Sequence, residues 1–162
     1  MKTPPLVNPG PALSGEQARR YSRQIVIPQI QASGQERIQN AKVLCIGAGG
    51  LGSPALLYLA AAGVGTIGIV DFDTVDESNL HRQVIYTEKQ IGMPKVNAAT
   101  AFLAAQNSHT KLEPLNFFLD SKNALATIAR FDVVVDASAD QASPVVVLEM
   151  LADGVPPLWA AT

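Results

Sequence analysis

The chain has 162 residues, 48% of them apolar and 16% charged, with a net charge of −2. This balance describes one globular domain with a real core and excludes a disordered chain. No apolar run reaches the roughly 18 residues a bilayer span needs, no basic-then-apolar start marks a secretory signal, and no Lys/Arg cluster beyond Arg19, Arg20 and Arg23 suits nucleic acid.

The single cysteine excludes an internal disulfide and any multi-cysteine zinc site. Cys45 sits between Leu44 and Ile46 in an apolar run, where a free cysteine packs rather than reacts. These features read as a cytoplasmic protein with neither membrane nor nucleic-acid partners.

In chain order, residues 1–13 carry Pro4, Pro5, Pro9, Gly10 and Pro11 and have little to bury, so a flexible leader is predicted ahead of a domain over 14–162. Ser14 with Gln17 forms a capping-box pattern for a short helix to about Arg23, and Ser33 with Glu36 a second for a helix to about Gln39. Lys42–Ile46 reads as the first strand, Pro54–Ala62 as a helix closed by Gly63, and Thr66–Val70 as the second strand. Thr87 with Gln90 caps a further turn, and Pro94 opens a helix to about Gln106. Leu112–Phe117 reads as a third strand, and Pro114 within it suits a sheet edge. Ser121–Ala129 is predicted helical, Phe131–Val135 a strand ended by Asp136, Val145–Ala152 helical, and Leu158–Ala160 a fifth strand.

Nearly all-apolar strands alternating with helices predict an α/β fold: a Rossmann-like, mostly parallel sheet with helices on both faces. The last strand runs out at Thr162, just where such sheets place their chemistry, so the domain is read as shortened at its C-terminus.

The first strand leads into Gly47-Ala48-Gly49-Gly50-Leu51-Gly52, a Gly-x-Gly-x-x-Gly turn opening a helix. Such a turn brings unpaired N–H groups and the positive end of a helix dipole to one point, which is an anion site. Asp71 ends the second strand, where a carboxylate receives a ribose hydroxyl. To this point NAD and ATP fit equally.

The polar loop after Asp71 separates them. It runs through Asp73 to Asn79, Arg82 and Gln83 and places these near the carboxyl end of the sheet. Gly92-Met93-Pro94-Lys95 then puts a lysine in the first turn of a helix, where it opposes the dipole by a few tenths of a kcal/mol up to about 1 kcal/mol unless an anion lies nearby. Singly, Arg82 and Lys95 are ordinary surface cations. With the glycine turn and Asp71 they form a clamp for a triphosphate. His81 and His109 have no nucleophile beside them and receive no role.

Tyr21-Ser22-Arg23-Gln24, the glycine turn, Asp71-Phe72-Asp73, Ser78-Asn79-Leu80-His81-Arg82-Gln83 and Gly92-Met93-Pro94-Lys95 occur here in order. The chain thereby resembles the MoeB/ThiF/HesA family, relatives of the ubiquitin-activating enzymes, and looks most like its actinobacterial MoeB-type sulfur-carrier adenylyltransferases. The resemblance spans about Tyr21 to Asn107 and weakens beyond.

It implies ATP- and magnesium-dependent adenylation of the C-terminal Gly-Gly of a ubiquitin-like sulfur carrier, as in molybdenum cofactor synthesis, by a homodimer. By position, Gly47, Gly49, Gly50 and Gly52 build the phosphate turn and Asp71 holds the ribose, with Asp73 in the same motif. Asn79, Arg82, Gln83 and Lys95 contact the phosphates. Arg23 matches the family arginine that reaches the partner subunit's nucleotide. Arg82, Lys95 and Arg23 are thus the candidate catalytic residues.

Past the fourth strand the pattern departs. The family reads Asp-x-x-Asp-Asn-x-x-x-Arg, whereas this chain has Asp136-Ala137-Ser138-Ala139-Asp140-Gln141. Asp140, one residue late, is the candidate magnesium ligand, with Asp136 as the alternative. Two other readings compete: an NAD(P)-dependent oxidoreductase, which leaves Arg82, Gln83 and Lys95 unexplained, and a non-catalytic nucleotide-binding remnant.

Overall fold

The computed structural model describes residues 5–138 and, for the backbone, 158–160. Five strands, β1 (Lys42–Ile46), β2 (Thr66–Val70), β3 (Lys111–Leu115), β4 (Val133–Asp136) and β5 (Leu158–Ala160), form one sheet in the order β3-β2-β1-β4-β5. All four pairings are parallel, and Ile46 stands opposite both Val70 and Asp136. The carboxyl ends of the three central strands therefore finish level, at one edge. The fold is Rossmann-like, as the alternation of strands and helices predicts. The helix read over Val145–Ala152 lies outside the described residues.

The helices are α1 (Gly15–Arg20), α2 (Ser22–Ile25), α3 (Gln31–Asn40), α4 (Gly52–Ala62), α5 (Lys95–Gln106) and α6 (Ala124–Ile128). Alternate strand residues feed two separate cores. Val43, Cys45, Ile67 and Ile69 pack against Leu56 and Ala60 of α4 and Val96, Ala99 and Leu103 of α5. Leu44, Ile46, Val70 and Val134 pack on the other face against Ala124 and Ile128 of α6. A parallel sheet covered on both sides needs apolar side chains on both faces of its inner strands, so the period-2 polar pattern is absent from β1 and β2 and is found in the edge strand β3, as Lys111 and Glu113. Burial pushes the Cys45 thiol up to about 12, helped by the Asp136 and Asp71 carboxylates, so it stays a neutral packing group.

Several element boundaries differ from the sequence reading. The Ser14–Gln17 box forms, with the Ser14 N–H donating to Gln17 Oε1 at 2.9 Å and the Gln17 N–H to Ser14 Oγ at 3.2 Å. The helix it starts breaks at Tyr21, which is buried, and resumes as α2. The Ser33–Glu36 box does not form: α3 begins at Gln31, two residues earlier, so Ser33 is already inside the helix. α6 is shorter than predicted, because Asp120 Oδ1 accepts the N–H groups of Lys122 and Asn123 and holds that segment as a turn. β4 starts at Val133, since Phe131 and its N–H, bonded to Ile128 O at 3.0 Å, belong to the preceding turn. Residues 8–10 are tied to α3: Gly10 N–H donates to Glu36 O, and Asn40 Nδ2 donates to Asn8 O, each at 3.2 Å.

The C-terminal end of α4 is the polar junction of the domain. Gly63 ends the helix in a left-handed conformation (φ 86°). The carbonyl of Ala62 accepts Gln24 Nε2 at 3.1 Å and Gln35 Nε2 at 2.9 Å, while that of Ala60 accepts Asn107 Nδ2 at 2.7 Å. Asn107 Nδ2 also reaches Tyr21 Oη at 2.9 Å. Helix-end carbonyls have no partner of their own. Here α2, α3 and the end of α5 supply one each, which docks the N-terminal helices on the sheet domain. Asn107→Ala removes both Nδ2 bonds and the one its Oδ1 accepts from the His109 N–H at 3.2 Å, and leaves the buried Tyr21 hydroxyl without this partner, so urea unfolding should show a loss of about 1–3 kcal/mol. A change below about 0.5 kcal/mol would show that the junction contributes nothing.

Candidate functional site

A cleft of about 740 Å³ opens at the carboxyl edge of the sheet, between the glycine turn and the loop after β2. The turn is shaped by two contacts. Gly47 has φ 89°, and a Cβ there would meet Ala137 O, at the end of β4, at 2.8 Å. A Cβ on Gly52 would lie 2.0 Å from Gly47 O. Helix α4 is therefore seated so close to the turn that only glycine fits, and its N-terminus points into the cleft. Gly49 is different, since a Cβ there would meet only Gln83 Nε2, at 3.7 Å. Among the described residues, the N–H groups of Gly49, Gly50 and Leu51 have no hydrogen-bond partner, and all three residues line the cleft. Three open donors at a helix start form an anion cradle.

Asp71 holds the turn to β2. Its Oδ2 accepts the Ala48 N–H and its Oδ1 the Asp73 N–H, both at 2.8 Å. Each oxygen keeps a second lone pair for a ligand hydroxyl.

The loop that follows closes on itself. Val75 N–H bonds to Met93 O at 2.8 Å and Gly92 N–H to Val75 O at 2.9 Å, which returns the chain to the start of α5 beside Asp73. Within it, Asp76 Oδ1 accepts the Ser78 N–H at 2.8 Å and the Ser78 hydroxyl at 2.5 Å, and these bonds hold the Asp76 carboxyl below the usual range. The resulting 3-10 turn, Glu77–Asn79, brings Asn79, Arg82 and Gln83 to the cleft wall. Gln83 is buried, with Nε2 donating to Asn79 Oδ1 at 2.6 Å and Oε1 enclosed without a partner among the described residues. Arg82 is exposed and lies over Gly50, with Nη1 3.3 Å from both Ser78 O and His81 Nε2.

Lys95 is not an uncompensated cation. It is 4% exposed, and its Nζ pairs with Asp73 Oδ2 at 2.9 Å. The anion that offsets its position at a helix start is thus supplied by the protein. Asp73 is half-exposed, so the pair sits at the cleft rim where a stronger anion can compete for the lysine.

Glycines 47, 49 and 50, Asp71, Asp73, Asn79, Arg82, Gln83 and Lys95 all line this one cleft, and Gly52 shapes it from behind. Arg23, exposed on α2, does not line it. Asp140 lies outside the described residues. Asp136 ends β4 with Oδ1 accepting the Ser138 N–H and hydroxyl at 3.0 and 2.7 Å, while Oδ2 is buried with no partner among the described residues.

The far wall was not legible in the sequence. Phe72 and Phe118, with ring centres 5.2 Å apart and edge-to-face, line it together with Phe117 and Leu119. Phe72 is 59% and Phe118 43% exposed. The one signal for them is an aromatic residue placed directly after the strand-end Asp71.

Fold and site together define a Rossmann-like α/β domain with a glycine-rich anion cradle and a polar loop carrying Arg82 at its carboxyl edge. The ThiF family model matches residues 21–161, and the chain belongs to that family. The probable adenylyltransferase/sulfurtransferase MoeZ of Mycobacterium tuberculosis is 46% identical over 159 residues, covering 98% of this chain and 41% of MoeZ. The sulfur carrier protein adenylyltransferase of Thermus thermophilus is 49% identical over 123 residues, covering 76% of this chain and 45% of that protein. Among solved structures, E. coli MccB with AMPCPP and MccA superposes with a TM-score of 0.79 at 28% identity, covering 93% of this chain and 47% of that one. The chain spans less than half the length of these relatives.

The two glycines of unlike environment give a direct test of the turn. Gly52→Ala should lower stability in urea by about 1–3 kcal/mol through overpacking, while Gly49→Ala should stay within about 0.5 kcal/mol. Equal losses at both would mean that α4 is not seated as described.

Proposed function

We propose that this chain carries the nucleotide site of an ATP-dependent adenylyltransferase that activates the C-terminal Gly-Gly carboxylate of a ubiquitin-like sulfur-carrier protein. The observation that carries the reading is the open N–H cradle of the glycine turn facing Arg82 and Lys95 across one cleft. One helix end neutralises about half a charge, so two further cations suit a polyphosphate rather than a single phosphate. Adenylyltransferase names among relatives at 46–49% identity support the same activity, as does AMPCPP on MccB. The dehydrogenase reading gives Arg82, which lies over Gly50 at the turn, nothing to do.

In this reading the ribose meets Asp71, and the base lies along Phe72 and Phe118, whose faces offer an apolar wall. The triphosphate crosses the turn toward Asn79, Arg82 and Lys95. A C-terminal carboxylate is already ionised at neutral pH. Its oxygen forms a bond to the α-phosphorus, and the α–β bridging P–O bond breaks, leaving its electron pair on pyrophosphate. No general base is needed, so the work is positioning and charge stabilisation. Arg82 and Lys95 hold the departing phosphates, and Lys95 exchanges Asp73 for phosphate oxygen. Arg23 acts across a homodimer, on the partner's nucleotide.

Magnesium belongs to this proposal. It takes one or two carboxylates plus phosphate oxygens, and the buried Oδ2 of Asp136, next in the chain to cleft-lining Ala137 and without a partner among the described residues, fits that demand. Asp140, or Asp136 in its place, would hold the ion, and the ion would supply positive charge to the phosphates.

Calorimetric titration separates the parts. Arg82→Ala should weaken ATP about 10- to 100-fold, the loss of a charge-assisted contact, with adenosine little changed. Lys95→Ala should do the same or more, because Asp73 then faces the phosphates unpaired. Equal losses for ATP and adenosine would sink the clamp. For the metal, Asp140→Asn should weaken Mg-ATP while leaving metal-free ATP unchanged or tighter. The same pattern in Asp136→Asn instead would assign the ion to Asp136.

A further inference from the structure

Tyr86 lies outside the cleft lining, in the loop just past Gln83, and is 6% exposed. Its hydroxyl donates to the carbonyl of Ala48 at 2.9 Å, and Ser53 Oγ, fully buried in the first turn of α4, donates to the same carbonyl at 3.3 Å. The Ala48 N–H is held by Asp71. Both polar groups of this one residue are thus fixed by three different segments of the chain.

In a planar trans peptide the C=O and the following N–H point in opposite directions. Drawing the Ala48 carbonyl into the core therefore aims the Gly49 N–H out into the cleft. That peptide turns over through ψ of Ala48 and φ of Gly49, and Gly49 has no Cβ to resist the change. A turned peptide would present a carbonyl oxygen to the phosphate.

We propose that Tyr86, with Ser53, is a positioning residue for the phosphate turn: the two hydroxyls hold the Ala48–Gly49 peptide in the orientation that binds anions. This rests on the nucleotide reading above. Burial, and next the Asp71 carboxylate, push the Tyr86 hydroxyl above the ordinary phenol range, so it remains a donor throughout the accessible pH range. The Tyr86 N–H bonds to Gln83 O at 3.2 Å, so the same residue ties the loop bearing Asn79, Arg82 and Gln83 to the turn. The two halves of the cleft are registered through it.

The test is Tyr86→Phe in the full chain, which keeps the ring and removes only the donor. ATP binding should weaken about 3- to 10-fold, the worth of one hydrogen bond, while adenosine, which has no phosphate, stays within about twofold. In the unliganded protein the Gly49 amide should give one sharp NMR signal in the wild type and a signal shifted or broadened by exchange in Tyr86→Phe. Ser53→Ala should move the same signal in the same sense. Equal loss of ATP and adenosine, or a lower melting temperature with an unmoved Gly49 amide, would reduce Tyr86 to a packing residue and overturn the proposal. If the wild type binds no ATP, the nucleotide reading fails, and the Gly49 signal still decides whether the hydroxyls orient the peptide.

Discussion

The contact on which the rest of the structure depends is the seating of α4 on the end of the sheet. A Cβ on Gly52 would stand 2.0 Å from Gly47 O, so the helix start is as near the turn as a backbone can come. That closeness brings the open N–H groups of residues 49–51 to one point at the carboxyl edge. It also leaves Gly47 and Gly52, the two ends of the turn, with no slack, because Gly47 is wedged against the end of β4 at the same time. Packing therefore fixes where the cradle stands, while the Ala48–Gly49 peptide between those ends is held by the Tyr86 and Ser53 hydroxyls.

Around that seat, polar groups are satisfied by distant parts of the chain rather than by neighbours. The N-terminal end of α4 is fixed through Ala48, held by Asp71, Tyr86 and Ser53. The C-terminal end is fixed through Ala60 and Ala62, held by Asn107, Gln24 and Gln35. Unmade hydrogen bonds on buried groups cost more than made ones gain. Each end thus converts an obligation of the helix into a link between segments. The link at the far end sets where α2, and so Arg23, stands relative to the cleft.

Charge in the cleft is stored as a pair. Lys95 is almost wholly buried, which an isolated ammonium resists, and Asp73 answers it at 2.9 Å. The pair is lopsided in solvent, with the lysine enclosed and the carboxylate half-exposed. Arg82, by contrast, is exposed and held, among the described residues, by two 3.3 Å contacts within its own loop. One cation is prepared and rigid, the other free to reach.

Much of this was written in the sequence by itself. The apolar runs Val43–Ile46 and Thr66–Val70, with helices between, dictated a covered parallel sheet, because no other arrangement buries strands apolar on both faces. The Gly47, Gly49 and Gly52 spacing, Asp71 and the loop to Lys95 named the glycines and nearly every polar side chain of the cleft, since these are constraints of backbone shape and charge that act locally in the chain. Tertiary structure alone decided the remainder. It placed Ser33 inside α3 instead of at its cap, paired Lys95 with Asp73, stood Phe118 beside Phe72, and carried Tyr86 to the carbonyl of Ala48. Each of these joins residues far apart in sequence, or lets packing overrule a local preference. Spacing along a chain records which groups a turn or helix can use, but not which distant group will meet them.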